Sequence, residues 1–224
     1  GGSIDGEDVF YYITVYNENY EQPSRPDHVD NRDITSGLYK FDDGPDLGDD
    51  AHRATLLFSG PSYLAAKEAQ TILAEQYNVA AELWSVTSYK RLREDAINVQ
   101  RRNRLNPLGE RLVPMVTSKL QGSEGPIIAV SDWMAGVVGQ INRWTPRPMS
   151  VLGTDGFGRS DTREALRSFF EVDAAHVVVT VLNSLARDGE ISREVVADAI
   201  TTFGIDPNRP DPAHPDTGAT GIGR

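Results

Sequence analysis

Residues 151–179, VLGTDGFGRSDTREALRSFFEVDAAHVVV, carry more information about the fold than any other stretch of this 224-residue chain. An apolar strand runs into a loop with three glycines, and two predicted helices follow. Ser160 and Asp161 are candidate N-caps, and Glu164 lies three residues after Asp161, at the spacing of a capping box. In open α/β sheets, a strand that ends in such a loop before a capped helix builds a ligand or partner surface. The glycine spacing is G-x-x-G-x-G rather than the dinucleotide fingerprint G-x-G-x-x-G, so no Rossmann cofactor site is predicted.

Strands and helices alternate along the rest of the chain. Strands are predicted over 9–16, 38–41, 54–58, 80–86, 127–130 and 150–152, and helices over 63–77, 89–104, 113–120, 133–144, 162–171, 173–187 and 193–203. In the helix over 63–77, the residues expected to face the core are Leu64, Ala65, Ile72 and Leu73, and Asn78 is expected to end the helix in a left-handed conformation. This alternation predicts an α/β fold with a mostly parallel sheet and helices on both faces.

Composition and charge exclude several classes of protein. The chain is 39% hydrophobic and 25% charged, which is ordinary for a soluble globular protein. The net charge of −11 argues against a nucleic-acid partner. No apolar run approaches the roughly 18 residues of a membrane span, so no membrane association is predicted. The absence of cysteine rules out disulfides and thiolate catalysis and fits a cytoplasmic location.

No catalytic residue, cofactor-binding residue or metal ligand is predicted within this chain. His28, His52, His176 and His214 are far apart and match no metal-binding spacing, so structural or solvated roles are expected. The acidic run 42–50 lacks the calcium-loop pattern because Pro45 interrupts it and Arg53 stands where a glutamate belongs. No nucleophile motif occurs.

Two further segments leave alternatives open. Residues 59–62, SGPS, join a strand to a helix and could hold an anion through their amides or form an ordinary turn. Six basic residues between Lys90 and Arg104 form either a solvated helix face or a patch against an acidic partner.

Residues 151–174 resemble the C-terminal domain of the homodimeric bacterial pyruvate dehydrogenase E1 components, which are thiamine-diphosphate enzymes. The resemblance extends, in the same order, to DVFYYITVYNENYEQP (8–23), SGLYKF (36–41), ELWSVTSY (82–89), AVSDWM (129–134) and VVADAITTFGID (195–206). It covers about residues 7–206.

The resemblance implies a transketolase-like subunit of which this chain is the last quarter or so. Residues 1–20 would hold the last strand of a preceding pyrimidine-type domain, 21–36 a linker, 37–206 the C-terminal domain and 207–224 a disordered tail. The full subunit would oxidatively decarboxylate pyruvate with thiamine diphosphate and Mg²⁺. Its partners would be a second E1 subunit, in a homodimer, and the E2 dihydrolipoamide acetyltransferase, whose lipoyl group takes the acetyl group.

The residues that hold the cofactor in this family have no counterparts here. The family binds the Mg²⁺–diphosphate group through a G-D-G…N-N motif, which this sequence lacks, and uses a glutamate of the pyrimidine domain. The resemblance therefore implies that the isolated chain is inactive and serves dimerisation or assembly.

The glycine loop is the predicted contact surface for the second subunit. Its residues are Thr154, Asp155, Gly156, Phe157, Gly158, Arg159 and Asp161. Phe157, between two glycines, is of a type enriched at the centre of interfaces, whereas the alternative is that it fills the domain's own core. The alternative function is a free-standing α/β module that binds a small anion or a partner protein without catalysis.

Overall fold

The computed structural model describes residues 10–13, 15 and 19–214, which are built around a five-stranded sheet. The strands are β1 (Tyr39–Asp42), β2 (His52–Phe58), β3 (Val79–Ser85), β4 (Ile127–Val130) and β5 (Met149–Leu152). The helices are α1 (Asn31–Ser36), α2 (Tyr63–Tyr77), α3 (Tyr89–Leu105), α4 (Met115–Leu120), α5 (Ala135–Gly139), α6 (Arg163–Phe169), α7 (Ala174–Arg187) and α8 (Arg193–Thr202). Single 3₁₀ turns are formed by Gly60–Ser62 and Asn142–Trp144.

The sheet is mostly parallel, which confirms the predicted fold class. Its strand order is β1-β3-β2-β4-β5, and only the edge strand β1 runs antiparallel to its neighbour. Every residue of β4, IIAV, is buried. Continuous apolar strands of this kind need both faces of the sheet covered.

Helices cover the two faces of the sheet and form two hydrophobic cores. Side chains alternate along β2, so Leu56 and Phe58 lie in one core and Leu57 lies in the other. The first core contains the apolar sides of α2, α7 and α8. The second contains those of α3, α4 and α5. The sheet therefore separates the molecule into two layers of helices.

Helix α2 has the predicted bounds, and Asn78 ends it with a φ of 51°. Its inner face differs in part from the prediction. Ala65 and Leu73 are buried, but Leu64 is 41% exposed, and Ile72 only borders the core. The remaining buried residues of α2 are Ala66, Ala69 and Gln70. Small side chains dominate this face because α2 packs against both α7 and β3. A prediction that looks for large apolar side chains does not identify such a face.

In two segments the helices of the structure differ from the predicted ones. The helix predicted over 133–144 is only α5 followed by a 3₁₀ turn, since Gly136 and Gly139 weaken helix formation. The linker predicted over 21–36 contains α1, which begins with a capping box between Asp30 and Asp33. No residue of α1 is fully buried. Its sequence therefore has no apolar periodicity from which a helix could be predicted.

Two observations concern the ends of the described chain. Residues 10–13 and 15 form no strand and are exposed, because no strand of the described sheet pairs with them; residues 9, 14 and 16 of the predicted strand lie outside the described residues. In the predicted disordered tail, Arg209 donates a hydrogen bond to the Ser168 carbonyl at 3.1 Å. Residues 215–224 lie outside the described residues.

Within the described residues, one helical stretch is long and apolar enough to cross a membrane, and it covers 163–187. It is divided into α6 and α7, with Glu171 between them at a φ of 59°. The apolar side of α7 lies in the first core, with Val177, Val181 and Leu185 fully buried. The hydrophobicity of this stretch is thus accounted for by packing against the sheet.

A partly buried cluster around the ion pair of Lys40 and Glu82 joins three strands near the antiparallel edge. The Glu82 carboxylate on β3 accepts hydrogen bonds from Lys40 Nζ on β1 at 2.7 Å, Trp84 Nε1 at 2.8 Å and Thr55 Oγ1 on β2 at 3.2 Å. Burial raises the pKa of Glu82, but the hydrogen bonds from Lys40 and Trp84 outweigh it, so the pKa lies below its ordinary value. The folded state therefore stabilises the charged carboxylate.

We expect Glu82→Gln to lower the free energy of unfolding at neutral pH by about 1–3 kcal/mol, because the amide loses the ion pair with Lys40. A lowered folded pKa means that the carboxylate contributes stability above the unfolded pKa, about 4.3, and loses it as pH falls through the folded value.

Urea unfolding of both proteins across this pH range measures the difference between their free energies of unfolding, and this difference should shrink in acid. Glu75→Gln, on the exposed side of α2, is the matched control. A constant difference at all pH values would contradict the ion-pair explanation.

Candidate functional site

A crevice lies at the carboxyl edge of the sheet, where the strand order reverses. The chain passes from β2 through α2 to β3 on one side, and later returns to β4 on the other side of β2. In open α/β sheets, ligands bind at such a reversal. Ser59 follows β2 and Ser131 follows β4, and their buried hydroxyl oxygens are 2.6 Å apart. This hydrogen bond closes the floor between the two strands.

The glycine loop starts at this edge and is fixed to the segment after β4. A side chain at Gly153 would place its Cβ 2.5 Å from the Ala135 nitrogen and 2.6 Å from the Trp133 oxygen, so only glycine allows this approach. The Thr154 nitrogen donates to the Trp133 carbonyl at 3.0 Å. The Asp155 carboxylate accepts a hydrogen bond from the Ala135 nitrogen at 3.2 Å. The first half of the loop is therefore anchored at three adjoining positions.

The second half of the loop presents Phe157 to solvent. Phe157 is 94% exposed, and Gly156 before it has a φ of 99°. The alternative that Phe157 fills the core of its own domain is therefore wrong. The exposed side chain is available to a second subunit, and the contact itself stays a prediction.

The cap of the helix after the loop lies later than predicted. Thr162, rather than Ser160 or Asp161, is the N-cap of α6 and accepts a hydrogen bond from the Ala165 nitrogen at 3.3 Å. The Asp161 carboxylate accepts from the Thr162 nitrogen at 2.7 Å instead. Glu164 consequently lies at the second helical position, so the predicted capping box does not form.

The loop and α6 enclose a cavity of about 320 Å³. The turn after β2 contributes Pro61 and Ser62, the segment after β4 contributes Asp132, and the loop after β5 contributes Thr154. Three strand ends thus meet at one cavity. Of the predicted loop residues, the ones that line it are Thr154, Gly156, Gly158 and Arg159, whereas Asp155, Phe157 and Asp161 do not.

Among the lining residues that sequence reasoning missed, three form a hydrogen-bonded group: Tyr20, Arg163 and Arg167. Arg163 Nη1 and Arg167 Nη2 donate to the Tyr20 hydroxyl at 3.3 and 3.2 Å. The spacing of the two arginines, four residues apart on a helix, was a signal that they share a face. Nothing local signalled Tyr20, which lies more than 140 residues away along the chain.

The turn over 59–62 shows ordinary turn hydrogen bonding. The Ser62 nitrogen donates to the Ser59 carbonyl at 3.3 Å, and the Tyr63 nitrogen donates to carbonyls of the turn itself. Pro61 has no N–H group. The amides of Ser62 and Tyr63 are therefore occupied within the turn, which favours the ordinary-turn alternative.

Each histidine has a polar partner within the described residues. The contacts are His28 with the Lys40 carbonyl, His52 with Glu190, His176 with Asp173 and His214 with Asp211. In the same part of the chain, no group of three or more His, Asp or Glu side chains could hold a metal ion.

Comparison with known proteins places the chain in a family. A sequence model described as "Transketolase-like TK C-terminal domain" matches residues 37–173. The pyruvate dehydrogenase E1 component of Mycolicibacterium smegmatis is 44% identical over 202 residues, which cover 90% of this chain and 22% of that protein. The E1 components of Pseudomonas aeruginosa and Escherichia coli are 44% and 41% identical over 207 residues, 92% of this chain and 23% of theirs.

Among solved structures, a transketolase from Leishmania mexicana matches 70% of this chain and 19% of its own, with 18% identity and a TM-score of 0.45. The chain thus spans less than a quarter of the length of these curated E1 relatives. With the family match over 37–173 and 41–44% identity over about 90% of its length, it belongs to the transketolase-like TK C-terminal domain family and is similar to the C-terminal part of bacterial pyruvate dehydrogenase E1 components.

Proposed function

We propose that this chain is the C-terminal domain of a pyruvate dehydrogenase E1 subunit. The full subunit would oxidatively decarboxylate pyruvate with thiamine diphosphate and Mg²⁺ and transfer the acetyl group to the lipoyl group of an E2 dihydrolipoamide acetyltransferase. The support is the 41–44% identity to E1 components over nearly the whole chain. A cytoplasmic location belongs to the same proposal.

Within such a subunit, the role of this domain would be assembly. Phe157 carries this part of the proposal, because it is 94% exposed on a loop that Thr154 and Asp155 anchor to the segment after β4. An exposed aromatic side chain on an anchored loop is suited to the centre of an interface, because little entropy is lost when a partner covers it. The loop from Thr154 to Asp161 would thus contact the second subunit of a homodimer.

The other end of the described chain is consistent with attachment to a preceding domain. Phe10, Tyr12 and Val15 are 92%, 88% and 85% exposed. Apolar side chains of this size gain most when a neighbouring sheet covers them. Residues 9–16 would therefore complete the sheet of a preceding pyrimidine-type domain.

The chemistry of the crevice does not suit the family's cofactor. Mg²⁺ needs oxygen ligands in octahedral geometry, and a diphosphate bound through Mg²⁺ needs carboxylates beside it. The lining of the cavity has one carboxylate, Asp132, and three guanidinium groups. Residues of the upstream domains would therefore hold the cofactor, and the isolated chain would not decarboxylate pyruvate.

Phe157→Ala in the full subunit should raise the dimer dissociation constant about tenfold or more, because truncation of a central aromatic residue removes a large buried area. Sedimentation equilibrium measures this change. The melting temperature of the 224-residue chain should stay the same, since the side chain is exposed. Leu108→Ala is the matched control, because Leu108 is also fully exposed but lies far from the loop in sequence. An unchanged dimer together with a lower melting temperature would contradict the proposal.

The 224-residue chain should not bind thiamine diphosphate at micromolar affinity in the presence of Mg²⁺, because its described residues include no group of carboxylates that could hold the Mg²⁺ ion. Isothermal titration calorimetry tests this, with the full subunit as the positive control. Micromolar binding to the chain alone would show that its own residues hold the cofactor. It would contradict the proposal that residues of the upstream domains do so.

A further inference from the structure

The crevice at the carboxyl edge of the sheet is locally positive in an acidic protein. The chain carries a net charge of −11, yet Arg159, Arg163 and Arg167 line one cavity of about 320 Å³ that has a single carboxylate, Asp132. Arginine side chains do not lose their charge in proteins. Arg159 and Arg167 place two of these fixed positive charges at the cavity, and a bound anion would offset them.

Two of these arginines share a hydroxyl group as a hydrogen-bond partner. Arg163 and Arg167 both donate to the Tyr20 hydroxyl, and their guanidinium groups lie 6.0 and 5.9 Å from the centre of its ring. The hydroxyl oxygen of a tyrosine is an acceptor for such hydrogen bonds. Within residues 19–214, neither Arg159 nor Arg167 forms an ion pair with a carboxylate. Neither the partly buried Arg167 nor the exposed Arg159 is therefore neutralised by a direct ion pair within these residues.

Stacking on an aromatic ring holds Arg159 in place. Its guanidinium lies 4.1 Å from the centre of the Phe169 ring, and Arg209 lies 4.9 Å from the centre of the same ring. Face stacking leaves the N–H groups of a guanidinium, which lie in its plane, free for a bidentate contact with a planar or tetrahedral oxyanion. The arginine is thus ordered before a ligand arrives, which reduces the entropy cost of binding.

The walls of the cavity allow a small ligand to approach closely. Gly156 and Gly158 line it without side chains, and Pro61 and Leu166 add apolar surface. The volume is at the lower end of the range for small-molecule sites. The reversal of strand order at this edge is the usual place for such sites in α/β sheets.

We propose that this crevice binds a small-molecule oxyanion, a phosphate or carboxylate group, through the guanidinium groups of Arg159 and Arg167. The site shares Arg159 with the loop proposed to contact the second subunit, but Phe157, at the centre of that proposed contact, does not line the cavity. The proposal also does not depend on the proposed function, since the residues that would bind the anion all belong to this chain.

Titration of the 224-residue chain with inorganic phosphate, at constant ionic strength, tests this proposal by calorimetry or by chemical shifts of the arginine side chains. We expect saturable binding with one site per chain. Arg159→Gln and Arg167→Gln should each weaken it about tenfold or more, because each removes charge-assisted hydrogen bonds. Arg167→Lys should have an intermediate effect, since lysine keeps the charge and loses the planar pair of donors.

The matched control is Arg101→Gln, an exposed arginine of α3 that does not line the cavity. Its affinity for phosphate should equal that of the unmodified chain. A parallel titration with succinate distinguishes the sources of the oxyanion, because tighter binding of succinate than of phosphate identifies a carboxylate ligand.

A purely structural role for the arginines predicts a different outcome. If they only anchor Tyr20, neither phosphate nor succinate binds, and Arg167→Gln and Tyr20→Phe lower the melting temperature to a similar extent. That result would overturn the proposal, and so would an equal loss of affinity in Arg101→Gln. Because dimerisation is measured separately through Phe157, failure here leaves the proposed function of the domain unaffected.

Discussion

Strand β2 forms parallel hydrogen-bonded pairs with β3 on one side and β4 on the other, and most features of the molecule depend on this double pairing. It places β2 in the middle of the sheet, where side chains on both of its faces are buried, so helices must cover both faces. It also makes the chain cross from one side of β2 to the other before β4. The reversal opens a crevice at the carboxyl ends of the strands, and the glycine loop after β5 lies at that crevice.

The glycine loop has two sides with different surroundings. Thr154 and Arg159 line the cavity, whereas Phe157 points into solvent. Gly153 permits this arrangement because its backbone lies against the segment 133–135, where a side chain would collide. One short loop could therefore serve a small anion on its inner side and a second subunit on its outer side.

The sequence predicted those elements whose signals are local. Helix α2 and the left-handed Asn78 follow from periodicity and end signals within a few residues, and the apolar run of β4 indicates a buried strand without any knowledge of its neighbours. The misses involve distant contacts. Tyr20 meets Arg167 across 147 positions, so neither residue's own neighbourhood indicates the cavity. The strand over 9–16 is assigned to a preceding domain and stays a prediction, because the described sheet does not supply the strand it would pair with.

The central claim is that the glycine loop contacts a second subunit, and photo-crosslinking tests it most directly. The photoreactive analogue p-benzoylphenylalanine would be placed at the position of Phe157 in the full subunit, and the irradiated protein would be analysed by mass spectrometry with an equal mixture of isotopically light and heavy subunits. The account predicts crosslinks that join light and heavy chains, with the loop attached to a surface of the other subunit. Crosslinks found only within one chain, or none at all, would contradict it.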